Sequence, residues 1–195
     1  ASLHLAERGF SVVVLEAQRV AWGASGRNGG QLNTGLRKGP ADLVAAYGRD
    51  WARRLFDMAE EAKALVHERI ARHQIPCDLK PGVLLAALKP RDLGWMREEV
   101  ELARDVFGYD KLALLDRDGT RAEVASDRYC AGIMDRGAAH LHPLNYALGL
   151  ARAAEAAGAR IFEVSPALRM ETGAAPVFVT PKGRVKARFA ILAGN

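Results

Sequence analysis

The chain has 195 residues, of which 49% are hydrophobic and 26% are charged. This composition is typical of a globular protein, and no apolar run reaches the roughly 18 residues that a membrane-spanning helix needs. Lysine and arginine number 28 against 23 acidic residues, which gives a formal net charge of +5. Because the basic residues alternate with acidic ones at helical spacing, the charge favours a solvated surface over a nucleic-acid-binding site.

The sequence begins inside a predicted helix and ends just after a predicted strand. Residues 1–9 are typical of a helix that ends at Gly9, and Asn195 follows a strand-like run. We therefore expect the sequence to be part of a longer protein. Cys77 and Cys130 stand far apart and outside any CxxC motif, so we predict neither a disulfide framework nor a zinc site, and we expect a cytoplasmic location.

The order of the predicted elements indicates a split dinucleotide-binding fold. Residues 11–15 form a continuous β-branched run, typical of a strand buried in a parallel sheet, and a glycine-rich loop follows over 17–39. The later elements, in chain order, are a helix at 42–74 bent near Gly48, strands at 75–79 and 82–88, helices at 90–107 and 121–125, a strand at 129–134, a helix from 142, and strands at 159–163, 167–171, 177–180, 184–187 and 189–193.

This order predicts an α/β architecture in which one domain is inserted into another. We expect residues 1–40 and 136–195 to form the dinucleotide-binding domain and residues 41–135 to form an α+β domain. The apolar stripe of the long helix contains Trp51, and the next helix contains Trp95. Both tryptophans are predicted to lie in the core.

Glu16 directly follows the first predicted strand. In a Rossmann unit, the acidic residue at the tip of the second strand accepts hydrogen bonds from the ribose hydroxyls of the adenosine. Strands that end in glutamate are common, so this feature alone is a weak signal. The GxGxxG turn that would precede the helix of such a unit is not among the 195 residues.

The loop Trp22–Gln31, with the sequence WGASGRNGGQ, is a more specific signal. Its four glycines let the backbone approach a ligand and present N–H groups to phosphate oxygens. Ser25 and Asn28 can add side-chain hydrogen bonds, and Arg27 offers a planar cation suited to a pyrophosphate. We therefore interpret the loop as a ligand-binding segment, although a flexible surface loop is the alternative.

Together these segments resemble the FAD-dependent oxidoreductases of the D-amino-acid oxidase (DAO) type, and among them the gamma-glutamylputrescine oxidoreductase branch, which oxidises amines. The resemblance continues through residues 140–146, 158–163 and 191–195, so it spans the whole chain. It implies a Rossmann-like, glutathione-reductase-like FAD-binding domain split around a substrate-binding domain.

The resemblance also implies roles for individual residues. Glu16 would bind the ribose, residues 25–31 would line the pyrophosphate, ribityl chain and flavin edge, and the backbone of Ala167 would meet the adenine. The implied cofactor-binding residues are Glu16, Ala17, Ser25, Gly26, Arg27, Asn28, Gly29, Gly30, Gln31, Ala167, Ala193 and Gly194. The loop lacks the histidine through which some relatives attach flavin, so we expect non-covalent FAD. The catalytic residues are expected outside this sequence.

The implied reaction moves a hydride from the carbon that bears the amine to the flavin, and water then hydrolyses the imine. Molecular oxygen or another acceptor would take up the electrons. Two alternatives remain open: an NAD(P)-dependent dehydrogenase that uses the same Glu16, and a non-catalytic flavin- or phosphate-binding module. His140 and His142 form an H-x-H pair with no carboxylate or cysteine nearby, so we predict a structural role and no metal site.

Overall fold

The computed structural model describes residues 1–194, which divide into two compact units. The first unit contains residues 1–28 and the chain from Pro143 onward, and the second contains Gly29–His142. In the described part of the chain, no helix is both long and apolar enough to cross a membrane. The elements are α1 (Ser2–Glu7), β1 (Val13–Leu15), β2 (Gln31–Leu32), α2 (Pro40–Arg72), β3 (Lys80–Ala87), α3 (Leu93–Phe107), β4 (Leu112–Leu115), α4 (Arg117–Glu123), β5 (Ala131–His140), α5 (Pro143–Ala156), β6 (Arg160–Phe162), β7 (Arg169–Glu171), β8 (Val177–Thr180) and β9 (Gly183–Lys186).

In the first unit, β1 and β6 form a parallel pair, with Val13 opposite Arg160 and Leu15 opposite Phe162. Helices α1 and α5 pack together, and their contact buries small and aliphatic side chains. The buried residues of this cluster are Leu3, Ala6, Ala154 and Ala159. Strands β7, β8 and β9 form an antiparallel sheet. The small alanines let the two helices approach closely, which explains why so few large residues are needed there.

The strand predicted at 189–193 is not formed. These residues are irregular chain, and the side chains of Phe189, Ile191 and Leu192 are 73%, 63% and 74% exposed. The apolar run predicts burial, but no strand among residues 1–194 pairs with it, and an unpaired strand cannot satisfy its backbone groups in a core. Asn195, the last residue of the predicted domain, lies outside the described residues.

In the second unit, β5 pairs antiparallel with β2, β3 and β4. Helix α3 packs on this sheet, and the contact buries Met96 and Ile133. Strand β5 is longer than the predicted 129–134. The strand predicted at 75–79 is absent, whereas the unpredicted β4 forms from an LALL run whose composition equally suits a helix.

The predicted bend of the long helix is confirmed. Gly48 has φ 75° and ψ 166°, so the helix is interrupted there. The buried stripe after the bend contains Ala52, Phe56 and Lys63, one position later than the predicted stripe. The core positions predicted for the two tryptophans are therefore wrong, since Trp51 is 60% exposed and Trp95, on α3, is 45% exposed.

Candidate functional site

Glu16 lies at the carboxyl end of β1 in the first unit and is half-buried. Its N–H donates to the Phe162 carbonyl at 2.9 Å, and its own carbonyl accepts from the Ser165 N–H at 2.8 Å. One carboxylate oxygen accepts the N–H of Gln18 at 2.8 Å, which orients the side chain. Because a carboxylate offers about four acceptor positions, it retains capacity for ribose hydroxyls. Ala17, the next residue, is exposed.

The first part of the glycine loop also belongs to the first unit and contains a short 3-10 helix, Ala24–Gly26. The side-chain amide of Asn28 donates to the carbonyls of the first two residues of that helix at 3.0 and 3.1 Å. A Cβ on Gly26 would lie 2.2 Å from the carbonyl oxygen of Ala21, so only glycine fits. This part of the loop therefore adopts a conformation that its own side-chain and backbone contacts stabilise.

Ser25 and Arg27 of this loop are exposed. The guanidinium carbon of Arg27 lies 4.7 Å from the ring centroid of Trp22, a cation–π arrangement that orients the positive charge. An exposed hydroxyl and an oriented guanidinium are groups that can bind a pyrophosphate. These residues thus fit the phosphate part of a dinucleotide.

The rest of the loop, Gly29 to Gln31, lies in the second unit. Gly30 is buried at φ 75°, and its carbonyl accepts from the Leu141 N–H at 2.9 Å. Gln31 is exposed and pairs with His140 across β2 and β5. A Cβ on Gly29 would lie 2.5 Å from Oε1 of Gln31, so this glycine provides the space that the glutamine side chain occupies.

The remaining predicted cofactor residues belong to the first unit. Ala167 is exposed. The N–H of the next residue, Leu168, donates to the Val179 carbonyl at 2.8 Å, where the pairing of this segment with β8 begins. Ala193 and Gly194 are exposed in the irregular chain after β9. Ala193 therefore does not lie in the strand predicted at 189–193, and Gly194 does not follow one.

A cavity of about 520 Å³ lies against the sheet of the second unit. Its lining combines apolar, glycine and charged residues: Gly29, Gln31, Pro81, Gly82, Val83, Leu84, Glu123, Met134, Arg136 and His140. Nη2 of Arg136 lies 4.0 Å from Oε1 of Glu123. Nδ1 of His140 lies 3.2 Å from the Gly82 carbonyl oxygen. Two predicted cofactor residues therefore line the same cavity as a charged pair that sequence reasoning missed.

The second unit also contains a polar network, which we define as Thr34, Glu60, Lys63, Tyr109 and Asp135. Nζ of Lys63 donates to Oγ1 of Thr34 at 2.7 Å and lies 2.9 Å from Oε1 of Glu60. The Tyr109 hydroxyl donates to Oδ1 of Asp135 at 2.6 Å and lies 2.9 Å from Oγ1 of Thr34. Burial, followed by the bond to Asp135, raises the pKa of Tyr109.

The polar network fixes β5 at the cavity. Oδ1 of Asp135 also accepts the N–H groups of Gly137 and Ala138, at 2.9 and 3.1 Å. Arg136 lies between Asp135 and Gly137 in the sequence, so its backbone is held on both sides. Sequence reasoning missed this network because a lysine on an amphipathic helix is normally assigned to the solvent face.

The two histidines of the H-x-H motif have different surroundings. His140 lines the cavity, whereas the backbone N–H of His142 donates to the Cys77 carbonyl at 2.7 Å. Within the described residues, no group of three His, Cys, Asp or Glu side chains is placed to hold a metal ion.

Comparison with known families identifies the family of the chain. The family model described as "FAD dependent oxidoreductase" (DAO) matches residues 1–195. The chain belongs to the DAO family. The predicted family is therefore confirmed, and the FAD dependence of this family decides against the nicotinamide-dependent alternative.

Curated relatives match over all of this DAO-family chain. It is 43% identical over 194 residues to gamma-glutamylputrescine oxidoreductase of Escherichia coli (strain K12), of which it covers 45%. It is 39% identical over 196 residues to "Probable oxidoreductase OrdL" of Haemophilus influenzae, of which it covers 46%. The chain thus spans about half the length of the curated relatives it matches.

Solved structures share the fold of this DAO-family chain. Glycine oxidase from Geobacillus kaustophilus matches with a TM-score of 0.73 at 19% identity, and the match covers 96% of this chain and 49% of the glycine oxidase chain. L-Amino acid deaminase from Proteus myxofaciens matches with a TM-score of 0.74 at 21% identity, and the match covers 95% of this chain and 40% of the deaminase chain. The predicted α/β fold class is confirmed, and the chain contains part of that fold.

Proposed function

We propose that the complete protein is an FAD-dependent oxidoreductase that oxidises a gamma-glutamylated amine. The observation that carries this proposal is the 43% identity, over the whole chain, to gamma-glutamylputrescine oxidoreductase. Family membership supports the redox chemistry, and the named relative supports the class of substrate. A cytoplasmic location is part of the same proposal.

The residues of this chain fit the cofactor. Glu16 would bind the ribose hydroxyls, since its carboxylate is oriented by Gln18 and keeps acceptor capacity. Arg27 and Ser25 would bind the pyrophosphate. Gly26 keeps this part of the loop in its conformation, since a Cβ there would lie 2.2 Å from the carbonyl oxygen of Ala21.

We assign domains on the same basis. Residues 1–40 and 136–195 would form the FAD-binding domain and residues 41–135 the substrate-binding domain, and residues of both would line the cavity. When bound, FAD would accept the hydride from the amine-bearing carbon, and an acceptor such as molecular oxygen would reoxidise it. The chain's own part is to bind and orient: Glu16 and the loop hold the cofactor, and the cavity residues provide charged and apolar surface for the substrate.

Flavin content tests the proposal. The complete protein should purify with flavin absorbance, release the flavin on acid denaturation because the attachment is non-covalent, and oxidise gamma-glutamylputrescine. A peroxide assay with and without artificial acceptors distinguishes an oxidase from a dehydrogenase. A colourless protein that ignores added FAD would instead support the non-catalytic alternative.

A loop variant tests the cofactor-binding residues directly. Gly29→Val should abolish FAD retention, since the added side chain displaces Gln31 from its place at the loop. Gly29 is a better probe than Gly30, because the φ of 75° at Gly30 strains any substituted residue with or without flavin. Gly183→Val is the matched control, since a Cβ there meets nothing within 4 Å. Equal flavin content in both variants would refute the role of the loop.

A further inference from the structure

The charged pair in the cavity is weakly held. Arg136 and Glu123 lie 4.0 Å apart, and their side chains are 67% and 39% exposed. An ion pair that is this exposed contributes little to stability, on the order of 0–1 kcal/mol. A ligand that offers a negative group to Arg136 and a positive group to Glu123 can therefore replace the pair at small cost.

The surroundings of the pair suit an elongated ligand. Pro81, Leu84 and Met134 give the cavity apolar surface, which can cover an aliphatic chain. Gly29 and Gln31 line the same cavity, and they belong to the loop that we propose binds FAD. Its volume of about 520 Å³ lies within the range of roughly 300–1,000 Å³ that small-molecule pockets have.

We propose that Arg136 and Glu123 bind the zwitterionic amino-acid head group of the substrate, which is remote from the amine that is oxidised. The Arg136 guanidinium would bind the carboxylate, and the Glu123 carboxylate would bind the ammonium group. This inference rests on the proposed function, because it names the substrate end that the cavity recognises.

The same pair would select against a plain diamine. A diamine carries a positive group at both ends, so the end that enters this subsite is attracted by Glu123 and repelled by Arg136. A gamma-glutamyl group replaces that ammonium with adjacent negative and positive groups, which complement both side chains. Arg136 is suited to this discrimination because the polar network holds Asp135, its neighbour in β5.

Ligand binding without turnover is the direct test. Gamma-glutamylbutylamide has the head group but lacks the terminal amine that is proposed to be oxidised, and N-butylacetamide lacks the head group. Calorimetric titration of the complete protein should show that Arg136→Gln weakens binding of gamma-glutamylbutylamide by roughly 10- to 100-fold, the usual range for a lost charged hydrogen bond. Binding of N-butylacetamide should change by less than about twofold.

The variants are chosen to separate recognition from folding. Arg136→Gln keeps most of the side-chain stem, and Glu123→Gln is an independent change on the other partner, which should also weaken binding of gamma-glutamylbutylamide. Arg121→Gln is the matched control, because Arg121 lies on the same helix as Glu123 but pairs with Asp127 at 2.9 Å and does not line the cavity. It should bind both ligands like the wild type.

Steady-state kinetics give a second readout. With Arg136→Gln, KM for gamma-glutamylputrescine should rise by the same factor as the dissociation constant, with kcat unchanged, because the lost contact is made equally before and during the reaction. KM for putrescine should not rise.

Unchanged affinity for gamma-glutamylbutylamide in both Arg136→Gln and Glu123→Gln would overturn the inference, as would a wild type that binds neither amide. A wild type that binds gamma-glutamylbutylamide but holds no flavin would refute the proposed function and leave the subsite standing.

Discussion

A buried lysine organises the second unit at the scale of single residues. Lys63 is 8% exposed, and its charge is compensated by Thr34, by Glu60 and by the Tyr109 ring, whose centroid is 5.4 Å from Nζ. A buried charge without partners is strongly unfavourable, so these groups must be kept together. A Cβ on Gly137 would lie 2.1 Å from the Tyr109 hydroxyl, so the network also requires a glycine in β5.

The raised pKa of Tyr109 predicts a pH dependence of stability. Because the folded pKa exceeds the unfolded value, the stabilising contribution of the neutral phenol is fully present below the unfolded pKa of about 10 and is lost as the pH rises above it. At pH 8, Tyr109→Phe should lower the free energy of unfolding by about 1–2 kcal/mol, because the Asp135 carboxylate loses a donor. That difference should shrink towards pH 11.

Urea denaturation of the complete protein between pH 8 and pH 11 measures this difference. Tyr47→Phe is the control, since Tyr47 is 53% exposed. It should leave the stability close to that of the wild type across the series. A Tyr109→Phe effect that is constant with pH would contradict the assignment.

At the scale of elements, the interruption of α2 decides which side chains are buried. A straight helix would bury the stripe that contains Trp51 and Met58, yet these residues are 60% and 64% exposed. The break at Gly48 rotates the following turns, so that Phe56 and Lys63 face the core. The position of the glycine is visible in the sequence, but the size of the rotation depends on φ and ψ values that the packing of the unit selects.

Gly48→Ala tests this interruption. In a straight helix, alanine would stabilise the protein by about 1 kcal/mol relative to glycine. At the backbone conformation of Gly48, however, alanine is strained, so we expect a loss of about 1–3 kcal/mol in the free energy of unfolding. Gly94→Ala in α3 is the matched control, since a Cβ there meets nothing within 4 Å, and it should be neutral or stabilising. A stabilised Gly48→Ala variant would mean that the helix is straight in solution.

At the scale of the whole molecule, the first unit is assembled from two distant parts of the chain. Residues 1–28 join the chain from Pro143 onward through the parallel pairing of β1 with β6 and the packing of α1 against α5. The second unit is continuous from Gly29 to His142. The boundary between the two units falls between Asn28 and Gly29, inside the glycine loop. The segment proposed to bind FAD therefore has residues in both units.

Hydrogen exchange tests the domain assignment. Adding FAD to flavin-depleted complete protein should slow amide exchange in residues 13–31 and around Ala167, because ligand binding suppresses local opening at the site. Helices α2 and α3 should show little change. Protection confined to residues 40–123 would contradict the proposed division into an FAD-binding and a substrate-binding domain.

The sequence by itself determined the family, the parallel strand that Glu16 follows, and the bend at Gly48. These features depend on local backbone preferences and on motif spacing, which a single chain displays directly. The sequence did not predict β4, the exposure of Trp51 and Trp95, or the exposed irregular chain at 189–193. Those depend on which strands and helix faces find partners.

The polar network and the charged pair of the cavity were decided by the tertiary structure alone. Lys63 and Asp135 are 72 positions apart, and Glu123 and Arg136 belong to a helix and a strand with no shared motif. Only the tertiary fold of the second unit brings groups from such separate elements within hydrogen-bonding or ion-pairing distance. Their energies depend on burial and on distances of a few ångströms, which residue spacing along the chain does not contain.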